Sequence, residues 1–258
     1  MEENNLIGIT GATGSIGSYA SNFPETISIY SRLESSLLSI ADELKEKKVH
    51  SLIHLAGLSD PKECEKNPDY CYFINVDCTR KFYEAANIAG VKRFLFVSSG
   101  HVYDLNQPCP YDIKSPVNPT SVYGKSKLDA ERILLNNKID TQVSIARVFS
   151  TLNQHSIGNH LYGKLHQRAV SKDFSPIHGL NKIRDLLPAS DVMEFLIKLI
   201  KSKSFVEKVN ICSGKGRTIA DLVYEVFSKY GLQDRVSEIM NIEDNSPSKI
   251  IGVPSNFL

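Results

Sequence analysis

The sequence predicts an α/β fold, a doubly wound parallel sheet followed by a small C-terminal lobe, and three observations predict it. Short apolar runs alternate with longer helical patterns from the start of the chain: LIGIT, ISIYS, SLIHLAG, RFLFVSS and VSIARVF. That alternation marks βαβ units, whose strands are covered by helices on both faces. The first run passes directly into a glycine-rich stretch, GATGSIG. A chain of 258 residues is also long enough for one large domain, or for one domain with a smaller lobe.

The elements follow in order. Between ISIYS and SLIHLAG lies only RLESSLLSIADELKEKKVH, one helical pattern with Lys45, Lys47 and Lys48 near its end, where cations complement the helix dipole. There is room for one helix and little for a further strand. YFINVDCTRKFYEAANIAG has an apolar stripe and precedes RFLFVSS. SVYGKSKLDAERIL is an amphipathic helix behind the turn-forming NPTS, and VSIARVF is the fifth strand. After Phe149 the pattern loosens through STLNQHSIGNH and resumes as a helix in LYGKLHQRAVSK. It then passes FSPIHGLNKIRDLLPASD into the helix DVMEFLIKLIKS. A strand in VEKVNICSG, a helix in TIADLVYEVFSKYG and an irregular SPSKIIGVPSNFL complete the chain. The expected division gives residues 1–150 and a returning segment at about 185–203 to the sheet domain, and residues 151–184 and 204–258 to the lobe.

Charge narrows the partners. With 30 basic against 29 acidic side chains the net charge is +1, which argues for neither nucleic acid nor an anionic membrane surface. No apolar run approaches the length of a membrane span. The opening MEENNLIGIT has no basic region leading into an apolar segment, so a cytoplasmic location is expected. Five cysteines, an odd number without a CxxC pair, fit a reducing compartment. Cys64, Cys71 and Cys78 recur every seven residues, but Pro68 interrupts the segment and no histidine sits among them; they are read as free, partly buried thiols, with no metal site.

In the stretch made of Gly11, Ala12, Thr13, Gly14, Ser15, Ile16 and Gly17, glycines allow a tight turn and close backbone approach. A short helix behind it, which must stop near Pro24, would turn unpaired N–H groups and the positive end of its dipole towards a pyrophosphate. Following a strand at the head of an alternating chain, the stretch reads as the dinucleotide-binding loop of a Rossmann-type sheet. ISIYSR tests which dinucleotide. A carboxylate at the end of the second strand would hold the adenosine ribose and repel a 2′-phosphate, whereas here Arg32 offers a charge-assisted bond to that phosphate. NADP(H) is therefore expected over NAD(H).

The catalytic candidates are Ser99, Tyr123 and Lys127. Ser99 ends RFLFVSS, at the carboxyl edge where ligands sit in open α/β sheets, and Tyr123 and Lys127 are one helical turn apart. A carbonyl that accepts hydride develops alkoxide character and needs a proton donor nearby. Tyrosine supplies one. A neighbouring ammonium favours the phenolate and draws the tyrosine pKa towards the working pH, while a serine hydroxyl orients the carbonyl oxygen.

GATGSIG, VHSLIHLAGLS, INVDCTRKFYEAANIAGVKRFLFVSS, VYGKSK, VSIARVF, IRDLLPASDV and VNICSG occur in the order expected of the extended short-chain dehydrogenases/reductases. The chain thus resembles the NAD-dependent epimerase/dehydratase family, which modifies nucleotide sugars. The resemblance implies Tyr123 as catalytic acid or base, Lys127 binding the nicotinamide ribose, and Ser99 at the family's catalytic Ser/Thr position. It also implies Leu55, Ala56, Gly57 and Asn75 lining the cofactor, and Arg184 gripping a sugar-nucleotide diphosphate. Ser99, His101 and Phe149 are taken with Arg184 on the substrate side. The family's usual homodimer pairs the helix after Asn75 with the helix bearing Tyr123.

Within the family, sugar dehydratases carry an Asp-Glu pair after the catalytic Ser/Thr, whereas Gly100 and His101 stand here. The shortened region after ISIYS and Arg32 resemble the NADPH-dependent 4-keto-6-deoxysugar reductases, the style of enzyme expected. A nucleotide-sugar 4-epimerase is the alternative, weakened by Ser150 where epimerases often have Asn. A non-catalytic NADP-binding sensor or scaffold is the second alternative. Relatives commonly continue beyond a segment like KIIGVPSNF, so an abridged substrate lobe is expected.

Overall fold

The computed structural model describes residues 5–153, 161–239 and 248–255. Strand β1 (Leu6–Thr10) opens the chain and β2 (Thr26–Ser28) follows the glycine loop. Helix α1 (Leu37–Glu46), capped by the Ser36 hydroxyl, leads to β3 (Val49–His54). Two short helices, α2 (Pro61–Lys66) and α3 (Pro68–Tyr72), are separated at Asn67 because Pro68 cannot continue the first. A π-helical turn (Phe73–Cys78) then runs into α4 (Thr79–Ile88) and β4 (Arg93–Ser99). Helix α5 (Val122–Asn136) begins where the Ser121 side chain accepts the Gly124 N–H, and β5 (Gln142–Val148) follows. Next come β6 (Ser150–Leu152), α6 (Leu161–Ser171), β7 (Ile183–Pro188) and α7 (Ala189–Lys201). The last elements are β8 (Lys208–Ile211), β9 (Gly216–Thr218), α8 (Ile219–Ser228), α9 (Val236–Ile239) and β10 (Lys249–Ile250).

Six parallel strands form the main sheet in the order β2-β1-β3-β4-β5-β8. The pleat of β4 shows why every residue from Phe94 to Ser99 is buried. Phe94 and Phe96 face a core shared with α1, α4 and α5, including Ile40, Leu44, Phe82 and Leu134. Leu95 and Val97 face the opposite core, where α7 lays down Val192, Leu196 and Ile200 at helical spacing. A smaller sheet, β10-β7-β6 with β9 antiparallel to β7, packs with α6 and α8 into the lobe. The crossings between the two sheets are short: Phe149 alone separates β5 from β6, α7 follows β7 directly, and residues 212–215 join β8 to β9. No helix among the described residues is long and apolar enough to cross a membrane.

The doubly wound sheet with its lobe is the expected fold, and between β2 and β3 the chain forms one helix and no strand. The short helix expected to stop near Pro24 is a six-residue 3-10 segment (Gly17–Asn22). Three details differ from expectation. Ladder pairing of β2 stops at Ser28, and the N–H groups of Tyr30 and Ser31 turn instead to the Glu43 carboxylate, each at 2.7 Å. The loosened stretch after Phe149 starts with a strand, β6, paired with β7; the remainder of that stretch, residues 154–160, lies outside the described residues. The expected boundary at 203 differs as well: β8 pairs with β5 inside the main sheet, β7 belongs to the small sheet, and α7 and β8 both pack into the main core.

Candidate active site

The glycine loop closes on itself and on the end of β3. Gly11 has φ +68°, a backbone conformation suited to glycine, and a Cβ there would stand 2.8 Å from Ala56 N. A Cβ on Gly17 would stand 2.2 Å from Gly11 O, and Gly14 N–H donates to that same carbonyl at 2.9 Å. Ser15 Oγ is buried with no hydrogen-bond partner among the described residues. A concave backbone with an orphaned hydroxyl fits the phosphates of a dinucleotide. The 3-10 segment lacks the aligned dipoles of a full helix, so the loop's own N–H groups and this hydroxyl would supply the polar contacts. One support was not legible in the sequence: buried Asn153, just after β6, donates from Nδ2 to Ser15 O at 2.7 Å.

Leu55, Ala56 and Gly57 follow β3 on the same edge. The N–H groups of Leu55 and Ala56 both donate to Thr10 Oγ1 at 3.2 Å. Asn75 is buried beneath them: its Oδ1 accepts the Leu58 N–H at 2.8 Å, and its Nδ2 donates to Leu58 O and Ser126 Oγ. Its amide therefore shapes the 57–58 turn. A Cβ on Gly57 would come within 2.9 Å of Asn75 Oδ1 and 3.9 Å of Lys127 Nζ, which places Gly57 between these two groups.

Ser99, His101 and Tyr123 come together because Gly124 lets α5 approach the end of β4; a Cβ there would lie 2.4 Å from His101 O. Ser99 Oγ accepts the His101 N–H at 3.2 Å on the side of the Tyr123 phenol. Burial pushes that phenol up to about 12, with the Ser99 hydroxyl acting in the opposite direction. The expected depression by Lys127 is not what this geometry produces. Lys127 Nζ lies 4.4 Å from the Phe96 ring centroid, and burial lowers the ammonium to about 8 while the Glu131 carboxylate raises it. At neutral pH the site thus holds a protonated phenol and a largely protonated lysine.

The His101 ring meets Tyr123 edge-on at 5.7 Å. Burial first, and then the Arg184 charge, lowers it to about 4, so it is neutral near pH 7. Arg184 itself donates only to neutral groups, Ile183 O, Ser248 O and Ser248 Oγ. Among the described residues it forms no salt bridge, which leaves a half-buried cation suited to an anionic ligand. Phe149 is buried with its ring where a Gly100 Cβ would meet it at 3.0 Å, beneath the turn that follows Ser99. Arg32 is exposed in the loop after β2, apart from the Ser99–Tyr123 cluster. Glu43, which holds that loop, is kept at about 2: burial would raise it, but hydrogen bonds from Lys47, Ser31 and Tyr30 outweigh that cost.

Behind Ser99 and Tyr123, Glu131 is one turn beyond Lys127. It accepts Ser98 Oγ–H at 2.5 Å, Arg147 Nε at 3.1 Å and Arg147 Nη2 at 2.7 Å. Arg147 lies over the Tyr103 ring, and Tyr103 donates to Asn210 Oδ1 at 2.6 Å. This chain ties α5 to β4, β5 and β8 directly under Ser99.

A family model described as "NAD dependent epimerase/dehydratase family" matches residues 7–212. UDP-glucose 4-epimerase of Erwinia amylovora is 28% identical over 201 residues, 68% of this chain and 60% of that protein. The match thus spans about 60% of that relative's length. Methionine adenosyltransferase 2 subunit beta of Xenopus laevis is 32% identical over 196 residues, 69% of this chain and 54% of that protein. In fold, the chain is similar to dTDP-4-dehydrorhamnose reductase from Bacillus anthracis str. Ames in complex with NADP, with a TM-score of 0.83, 18% identity, and coverage of 98% of this chain and 90% of that one.

Proposed function

The chain belongs to the NAD-dependent epimerase/dehydratase family, and from that premise we propose that it is an NADPH-dependent reductase of a nucleotide-linked keto sugar of the 4-keto-6-deoxyhexose type. The observation that carries the reading is the Ser99–Tyr123 pair: a buried, protonated phenol beside a serine hydroxyl at the carboxyl edge of β4. Bound beside it, a reduced nicotinamide supplies the hydride. Tyr123 then gives its proton to the sugar carbonyl oxygen, and Ser99 holds that oxygen in reach. Lys127, one helical turn beyond Tyr123, holds the nicotinamide ribose. Arg184 grips the diphosphate, and neutral His101 faces the sugar.

Three features favour reduction within the family. Arg32 stands in the loop after β2, the segment between β2 and β3 is a single helix, and Gly100 and His101 replace the acidic pair that a dehydratase needs. The epimerase reading is supported by the similarity to UDP-glucose 4-epimerase. A non-catalytic role is supported by the similarity to methionine adenosyltransferase 2 subunit beta. A homodimer through the outer faces of α4 and α5 would be polar, since Arg80–Glu84 and Arg132–Asp129 ion pairs lie on them; light scattering reads it directly.

The test is NADPH oxidation against a panel of nucleotide-linked 4-keto-6-deoxysugars. Turnover that falls at least about a hundredfold in Tyr123→Phe is expected. Tight NADP(H) binding without turnover of any keto sugar would overturn the reductase in favour of the sensor. Interconversion of a nucleotide hexose without net NADPH loss would favour the epimerase.

A further inference from the structure

His54 ends β3 and is fully buried, away from the reacting groups. Its Nδ1 lies 2.9 Å from Thr10 Oγ1 and its Nε2 lies 3.3 Å from Thr79 Oγ1. Counting protons fixes its tautomer. A threonine hydroxyl has one proton and two lone pairs. The N–H groups of Leu55 and Ala56 can only donate, and both point at Thr10 Oγ1. The lone pairs are thereby occupied, so the Thr10 proton goes to His54 Nδ1. The ring's own proton then sits on Nε2 and is donated to Thr79 Oγ1. Phe82, Phe94 and Phe96 surround the ring, with centroids at 5.0, 5.6 and 6.3 Å. The charged group acting on it is the Lys127 ammonium, which lies across Phe96 and disfavours a second ring proton.

We propose that His54 is a positioning residue for the dinucleotide site, a one-way hydrogen-bond relay that fixes Thr10 and through it the backbone of Leu55 and Ala56. The geometry gives the relay its purpose. Gly11 closes against Ala56 with no room for a methyl group between them. Ala56 is therefore one wall of the glycine cradle, and its N–H is held by the hydroxyl that His54 orients. An imidazole with the opposite tautomer would turn a donor towards Thr10 and release one of the two N–H groups. The proposal rests on reading residues 11–17 and 55–57 as the dinucleotide site.

The test measures NADPH, NADP⁺ and NADH binding to the full chain by calorimetry for the wild type, His54→Phe and His54→Gln. Phenylalanine fits among the surrounding rings but offers no acceptor or donor. A glutamine amide offers both on either side of one carbon, as the imidazole does. His54→Phe is expected to weaken binding about tenfold, the loss of one buried hydrogen bond, and His54→Gln to return it to within about threefold of wild type. ¹⁵N NMR of the wild type is expected to show Nε2 protonated and Nδ1 bare. Thr10→Val, which keeps the shape and removes the hydroxyl, gives the same weakening if His54→Phe does not fold. Unchanged affinity in the folded variants, or a proton on Nδ1, would overturn the relay. A wild type that binds neither NADPH nor NADH would overturn the site reading and the proposal together, a result distinct from equal binding by all variants.

Discussion

Glu131→Gln is expected to destabilise the fold far more than a surface charge change would. Glu131 and Arg147 side chains are 2% and 5% exposed, and the carboxylate accepts three hydrogen bonds, two of them from the guanidinium. An amide keeps one acceptor but sets its NH₂ against an Arg147 donor, leaving a buried cation without its counter-charge. Breaking a buried pair from one side costs about 3–5 kcal/mol. For a chain of this length each kcal/mol moves Tm by about 2–4 °C, so a fall on the order of 10 °C is expected. Adding Arg147→Met removes the stranded charge while filling the space against Tyr103. The double variant should recover at least about 2 kcal/mol relative to the sum of the single changes. Urea titration of the four proteins measures this cycle. Additivity within about 0.5 kcal/mol, or a single-variant cost below about 1 kcal/mol, would refute the reasoning. A second readout is independent of stability: without the carboxylate that raises Lys127, the alkaline limb of the activity profile should move to lower pH.

Other changes address the cofactor edge and the proton donor. Gly17→Ala places a methyl group 2.2 Å from Gly11 O, and dinucleotide binding should fall below detection in a calorimetric titration. Asn153→Ala removes the bond to Ser15 O and should raise KM for the dinucleotide about fivefold, with kcat changed little. Arg32→Ala should weaken NADPH at least about tenfold while leaving NADH within about twofold, read from the two kcat/KM values. Lys127 is lowered to about 8 and Tyr123 raised to about 12, so the protonated pair dominates below pH 8. Reduction should therefore hold a plateau at neutral pH and decline as pH rises through about 8, whereas a plateau extending to pH 10 would contradict the role given to the ammonium.

The strands and the Tyr123–Lys127 stripe were legible because their signals are local: apolar alternation for the sheet, one helical turn for the pair. What could not be read depends on distant partners. Asn153 meets Ser15 across most of the sheet domain, Glu43 reaches back from α1 to the end of β2, and His54 finds Thr10 only once β1 and β3 are paired. Each is an ordinary polar residue in the sequence and acquires a task from the topology. The spacing of Tyr123 and Lys127 placed them on one face but carried no measure of burial, and burial governs both of their pKa values. Pro24 announced that the helix behind Gly17 must be short, while its 3-10 form became evident only in the fold.

The short crossings between the sheets bear on how the site opens. A swinging lobe turns on a few loop or element-terminal residues that absorb the rotation. Here β5 and β6 are separated by Phe149 alone, whose ring is buried against Gly100, and β7 passes straight into a helix anchored in the main core. Such joints leave few backbone positions at which the small sheet can turn against the large one. Any change in the spacing of the two sheets would have to be absorbed at Phe149, at the Pro188–Ala189 joint and at residues 212–215.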